Sequence, residues 1–163
     1  MASRMRTEIS ASRRWVLKVG SSLLTDHGQA VAQSAVEAWA AQIADLRGRG
    51  SEVVVVSSGA VAAGMLRLGL SQRPDCLSQL QAAAAVGHLD IAGLWDQALR
   101  KHGINAAQVL LTHEDAADRQ RYLNARNTLA ALLDWGVVPV INENDTVAND
   151  EIRFGDNDTL AAM

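Results

Sequence analysis

Strand-forming runs alternate with helical stretches four times along this chain, and that alternation constrains its fold more than any other feature. Val53-Val54-Val55-Val56 is a β-branched run suited to a central parallel strand. Trp15-Val16-Leu17-Lys18-Val19-Gly20 reads as an earlier buried strand that ends in a turn. Ala106-Ala107-Gln108-Val109-Leu110-Leu111 reads as a third strand and Val137-Val138-Pro139-Val140-Ile141 as a fourth. Pro139 is a mild objection to a central place for the fourth, because proline cannot donate to a ladder. Residues 33–47 put Val36, Trp39, Ala40, Ile43 and Leu46 on one helical face, opposite Glu37 and Asp45. Ser57-Ser58-Gly59 is expected to break the strand, with an Ala-rich helix following to about Leu68, and residues 119–134 are helical again. A long helical stretch over residues 77–102 is expected to break near Gly87. This order predicts an α/β fold, a three-layer sandwich with a mainly parallel sheet covered on both faces.

With 163 residues, the chain suits one domain with a sizeable core. Its 48% apolar and 20% charged residues describe a globular chain, not a disordered one. A net charge of −3 argues against nucleic-acid binding, which needs a positive surface. Arg4, Arg6, Arg13 and Arg14 form the one basic cluster, and residues 1–12 read as a flexible leader without the apolar stretch of a secretory signal. Cys76 is the single cysteine, which excludes an intrachain disulfide and fits a reducing cytoplasm. No run reaches the roughly 18 apolar residues of a membrane-spanning helix, so a soluble, cytoplasmic protein is expected.

In parallel sheets ligands bind beyond the carboxyl ends of the strands, and three of those ends carry unusual sequence. The first is Lys18-Val19-Gly20-Ser21-Ser22, which could aim an ammonium and backbone N–H groups at phosphate oxygens. A lysine snorkelling before an ordinary turn fits these residues equally well. The second is Ser57-Ser58-Gly59-Ala60-Val61-Ala62-Ala63-Gly64, where small residues let a ligand meet a helix N-terminus. Gly59 and Gly64 have P-loop-like spacing, but Met65 stands where that motif requires lysine. Close packing by small residues explains Ala60, Ala62 and Ala63, but not the paired serines.

The third is Asn142-Glu143-Asn144-Asp145 followed by Gly155-Asp156-Asn157-Asp158. Residues 142–158 hold six acidic residues against Arg153 alone. Amides mixed with carboxylates suit an amino-acid ligand, whose ammonium needs acceptors and whose carboxylates need donors. Residues 145–155 look like a small hairpin over that site, and Asp156, Asn157 and Asp158 can cap the helix that follows. His27, His88, His102 and His113 share no ligand spacing and fall in loops or on exposed helix faces, so no metal site is assigned.

Taken in order, these segments, with Leu123-Asn124-Ala125-Arg126-Asn127-Thr128, resemble the glutamate 5-kinases of the amino acid kinase superfamily. The resemblance runs from about Trp15 to the end of the chain. Asn-Glu-Asn-Asp paired with Gly-Asp-Asn-Asp is its most specific part, whereas the Lys-x-Gly-Ser start specifies fold more than substrate. It implies ATP-dependent phosphorylation of the L-glutamate side-chain carboxylate, with Mg²⁺, as the first step toward proline. By it, Lys18 and Asp158 are catalytic, Ser58, Asp145 and Asn157 bind substrate, and Lys18, Gly20 and Ser21 meet the phosphates. Residues 13–163 then form the N-terminal, glutamate-binding part of an amino acid kinase domain, with the nucleotide-binding lobe absent. The family pattern also implies a homo-oligomer, dimer or tetramer, with feedback binding of proline. Two alternatives stay open: a non-catalytic glutamate- or proline-binding fragment, and another amino acid kinase acting on acetylglutamate, aspartate or carbamate.

Overall fold

The structure is a computed structural model, and it describes residues 12–25, 31–148 and 157–162. The elements follow in the order β1 (Arg14–Val19), α1 (Ser21–Leu24), α2 (Gln33–Gly48), β2 (Glu52–Ser57), α3 (Ala60–Leu68) and α4 (Leu77–Arg100). β3 (Ala106–Leu111), α5 (His113–Ala117), α6 (Arg119–Asp134), β4 (Val138–Glu143) and α7 (Asn157–Ala162) complete them. The four strands form one sheet in the order β1-β2-β4-β3, and every pairing is parallel. The expected leader lies almost wholly outside the described residues, as do residues 149–155 of the expected hairpin.

Alternation along the strands divides the core. Val19, Val53, Val55, Val138 and Val140 pack with Val36, Ala40 and Ile43 of α2 and with Ile91, Trp95 and Leu99 of α4. Val54, Val56 and Ile141 point the other way, toward Leu129 and Leu133 of α6 and Ala161 of α7. That second layer is thin: α6 buries none of its residues. An apolar groove of about 350 Å³ opens between α6, α7 and the sheet, lined in part by Val16, Val54, Leu129 and Leu160. The two outer strands, β1 and β3, each pair on one side only among the described residues.

Three expectations need correction. The long helix does not break at Gly87 but runs unbroken from Leu77 to Arg100. Gly87 is where α4 touches α3: a Cβ built there would lie 1.8 Å from the Ala60 carbonyl oxygen, and one built on Gly64 would lie 1.7 Å from that of Ala83. The two glycines let the backbones meet, so Gly64 serves helix packing and not a phosphate loop. Pro139 does not keep β4 at an edge. The Val138 N–H is directed to Asn105 on the β3 side, which turns Pro139 toward β2, and pairing with β2 begins only at Val140. The β2 ladder therefore starts just past the residue that lacks a donor. Finally, β4 continues two residues past Ile141, and Asn142 and Glu143 are buried inside the sheet.

Candidate active site

The chain leaves β2 for α3 on the α4 side of the sheet, and leaves β4 toward α7 on the opposite side. A crevice is therefore expected between the carboxyl ends of β2 and β4. At that place the described residues bury Ser57, Ser58, Asn142, Glu143, Asp145 and Asn157, a concentration of polar groups found nowhere else in the core. Gly59 makes the turn out of β2 with φ of 97°, a left-handed conformation that favours glycine. A Cβ there would also crowd the Ser21 backbone at 3.3 Å. The turns after β1 and β2 thus lie side by side, and Ser58 N–H donates to the Val19 carbonyl across them.

Two sub-clusters emerge. In one, the Lys18 ammonium stands 2.6 Å from an Asp158 carboxylate oxygen. A Cβ on Gly20 would come within 3.7 Å of the same ammonium. Lys18 therefore arches over the Gly20–Ser21 turn, and Asp158, in the first turn of α7, holds it there. Snorkelling to open solvent is not what its contacts show, since the side chain is 34% exposed and paired.

In the other, the Asn142 side-chain oxygen accepts from Glu143 N–H at 2.9 Å and from the Asn157 amide at 3.0 Å. The Asn157 oxygen in turn accepts from Glu143 N–H at 3.2 Å. The Asn142 amide nitrogen lies 3.5 Å from His88 Nδ1, and His88 Nε2 lies 3.3 Å from Asp145 Oδ2. Asp145 is 2% exposed, and its Oδ1 makes no hydrogen bond with the described residues. A buried carboxylate oxygen without a donor is costly unless something else supplies one.

Lys18, Gly20, Ser21, Ser58, Asp145, Asn157 and Asp158 therefore lie at the carboxyl edge of the sheet. Lys18, Gly20 and Asp158 converge, as do Asn157 and Asp145 through Asn142 and His88, and Ser58 is buried at the turn beside Ser21. His88 corrects the expectation for the histidines: it is 5% exposed, in the site, while His102 and His113 are exposed and His27 lies outside the described residues. The signal that finds His88 is its place on the buried stripe Leu80, Ala84, Ile91, Trp95 of α4. Among the described residues no group of three His, Cys, Asp or Glu side chains could hold a metal ion. No described helix is long and apolar enough to cross a membrane.

The sequence pattern of the Amino acid kinase family matches residues 13–163. A glutamate 5-kinase of Hahella chejuensis is 57% identical over 161 residues, which is 99% of this chain and 42% of that protein. One of Ralstonia nicotianae is 60% identical over 159 residues, 98% of this chain and 42% of that protein. The chain thus spans less than half the length of these curated relatives. Among solved structures, the isopentenyl phosphate kinase of T. acidophilum superimposes with a TM-score of 0.54 at 16% identity, covering 80% of this chain and 54% of that one. A Giardia carbamate kinase gives 0.52 at 16% identity, covering 81% and 60%. At that identity the two structures speak for the fold alone.

Proposed function

Because the chain belongs to the amino acid kinase family, we propose that its crevice binds L-glutamate for ATP-dependent phosphorylation of the side-chain carboxylate, giving L-glutamyl 5-phosphate and ADP. The observation that carries the amino-acid part is the buried Asp145 carboxylate with one oxygen left for an incoming donor. An ammonium group supplies that donor and an opposite charge together. The high identity to glutamate 5-kinases supports glutamate over other amino acids.

In this reading Asp145 takes the substrate ammonium, and Ser58 and Asn157 hold the substrate by hydrogen bonds. Lys18, with the backbone of Gly20 and Ser21, faces the phosphates. Bringing a carboxylate nucleophile to a triphosphate opposes two anions, a repulsion of about 4 kcal/mol per charge pair at 4 Å and an effective dielectric near 20. The Lys18 ammonium offsets it and follows the charge that moves onto the bridging oxygen, while Asp158 keeps the ammonium in position. No protein nucleophile is required. Mg²⁺ would neutralise phosphate charge and arrive held by the nucleotide, since it is usually bound through substrate phosphates and few carboxylates. The reading extends to a cytoplasmic homo-oligomer and to proline, whose secondary ammonium and carboxylate match the same partners.

Hydroxylamine trapping of acyl phosphate, with this chain, L-glutamate and Mg·ATP, is the direct test, run beside calorimetry with L-glutamate alone. Hydroxamate formation supports the kinase reading. Glutamate binding without product leaves an amino-acid-binding module, and no glutamate binding refutes the assignment of the crevice.

A further inference from the structure

The sheet has two open edges among the described residues, and their chemistry differs. β1 carries Arg14 and Lys18, the kind of charge that blunts a strand against edge-to-edge pairing. β3, which reads Ala106-Ala107-Gln108-Val109-Leu110-Leu111, carries no charge and no proline. Its pairing with β4 decides which residues face outward. The Val138 and Asn144 N–H groups donate to the carbonyls of Asn105 and Leu111, so the odd-numbered residues of β3 face β4. Alternation then turns the N–H and C=O groups of Ala106, Gln108 and Leu110 toward the free edge, where β3 has no neighbouring strand among the described residues. The face beside that edge is open as well. Leu89 of α4 is 67% exposed, at the rim of a groove of about 240 Å³ that Gly93, Gln108 and Val140 also line.

We propose that the β3 edge and the adjoining face of α4 form the contact between two copies of this chain, paired antiparallel about a two-fold axis at Gln108. The inference gives the proposed homo-oligomer its surface and does not depend on the amino-acid reading of the crevice. Connection handedness argues against a strand of the same polypeptide at this edge. α6 carries the chain from β3 to β4, toward β1, over one face of the sheet, and α7 leaves β4 over that same face. A right-handed crossover through α7 therefore adds any further strand outside β1, and not outside β3. A second copy meets the β3 edge on equal terms, because a two-fold contact is self-complementary. Centred on Gln108, it sets Gln108 opposite its own copy and Ala106 opposite Leu110, so all three outward residues enter the ladder. The same register brings Lys101 and His102, at the foot of β3, toward Glu114 and Asp115 at the head of the other β3. Lys101 is 57% exposed while paired with Glu37, and Glu114 is 88% exposed with Arg121 no nearer than 4.0 Å. Charges of opposite sign thus meet at both ends of the pairing. Edge bonds alone make a small contact, whereas a specific interface buries about 1,000 Å² or more. Leu89 and the groove beside it supply apolar surface next to the edge.

Sedimentation velocity over about 1–100 μM protein reads the association, which protomer concentration governs. Wild type should sediment as a dimer or a multiple of it. Gln108→Lys sets two ammonium groups against each other across the axis and should weaken the dimer at least about tenfold. Leu89→Glu leaves every backbone group of the edge in place and should weaken the dimer through the α4 face. Val16→Lys, on the β1 edge, should leave it unchanged. Circular dichroism checks that each variant is folded. Hydrogen exchange, read residue by residue, tests the edge pairing itself. In the assembly the Ala106 and Leu110 N–H groups should be protected, and in Gln108→Lys they should lose that protection. The Ala107, Val109 and Leu111 N–H groups, directed to β4, should stay protected in both. A monomer at every concentration, an assembly untouched by Gln108→Lys and Leu89→Glu, or unprotected Ala106 and Leu110 N–H groups in the assembly overturns the proposal. The first result would remove the homo-oligomer as well, and the other two would move it to another surface. None of these measurements needs a ligand, so failure of the amino-acid reading would leave their outcome intact.

Discussion

Replacing Gly87 by alanine sets two forces of opposite sign against each other, and the structure says which wins. Gly87 lies inside α4, where alanine improves helix propensity by about 1 kcal/mol. Against that, the added Cβ would sit 1.8 Å from the Ala60 carbonyl oxygen and 2.6 Å from the Gly64 nitrogen. Ordinary contact begins near 3.4 Å, so the methyl intrudes by roughly 1.6 Å on backbone atoms that cannot rotate away. The helices must part, and overpacking of this kind costs about 1–3 kcal/mol or more. Gly93 supplies the control on the same helix, since a Cβ there meets nothing within 4 Å. Gly93→Ala should therefore show the propensity gain alone. Urea unfolding followed by circular dichroism reads both, with a slope of about 1–3 kcal/mol per molar urea expected for a chain this small. The midpoint should fall by about 1 M for Gly87→Ala and stay or rise for Gly93→Ala, with the slope unchanged. If the two variants moved together, the close approach of α3 and α4 would not be a feature of the folded chain. Because His88 follows Gly87 directly, the same substitution should also weaken amino-acid binding, whereas Gly93→Ala should not.

Three other perturbations test separate parts of the structure. In a form of the protein that turns over, Asp145→Ala should raise the glutamate requirement about ten- to hundredfold while sparing nucleotide affinity. Lys18→Ala should instead lower kcat by about 10²–10³, because its charge acts on the transition state; steady-state kinetics with both substrates checks each. Lys101, and next Gln33, hydrogen-bond Glu37 and hold its carboxyl below the ordinary carboxylate range. A depressed folded value means the contribution is complete above the unfolded value near 4.3 and is lost as pH falls through the folded one. Glu37→Gln should therefore lower the urea midpoint slightly at pH 6 and converge with wild type as pH falls toward 3, read from urea midpoints at pH 3–6. Exposed Cys76 has its thiol drawn below the usual range, chiefly by the Ser78 hydroxyl 3.1 Å away. Ser78→Ala should slow its alkylation by iodoacetamide at pH 7.5, since thiolate is the reacting form; an unchanged rate would dismiss the contact.

The sheet was legible because each strand carries its own apolar signal and each is short. β1, β2 and β3 fall within a residue or two of the ranges expected from Trp15 to Val19, Val53 to Val56 and Ala106 to Leu111. β4 ran longer than its apolar run, because strand alternation carries Asn142 and Glu143 onward after the side chains turn polar. The helices α1 and α5 are four and five residues long, too short for a 3.6-residue period to register. Gly87 could not be read from its own neighbours. A glycine inside a helical pattern marks either a break or a close approach, and only Gly64, on another helix, decides between them. His88 was hidden by the same limit: periodicity marks a face as buried from its apolar members and carries no information on what a polar member of that face meets across the interface.

That limit is physical, and it separates the two halves of the crevice. Lys18, Ser58 and Asp145 sit at strand ends, where a parallel sheet must expose its C-terminal loops, so topology alone points to them. The link between Asp145 and Asn157 depends on α4, an element whose sequence signal is entirely about covering the sheet. α4 must descend close enough for His88 to reach Asn142, and it can do so because Gly87 and Gly64 allow α3 and α4 to touch. Packing in one layer thereby sets what lies beside a carboxylate in the crevice. A substitution that spread α3 from α4 would leave Lys18 and Asp158 in contact across β1 and α7, yet draw His88 away from Asp145. Phosphate-side and amino-acid-side defects should therefore be separable by mutation, although the residues involved share one edge of one sheet.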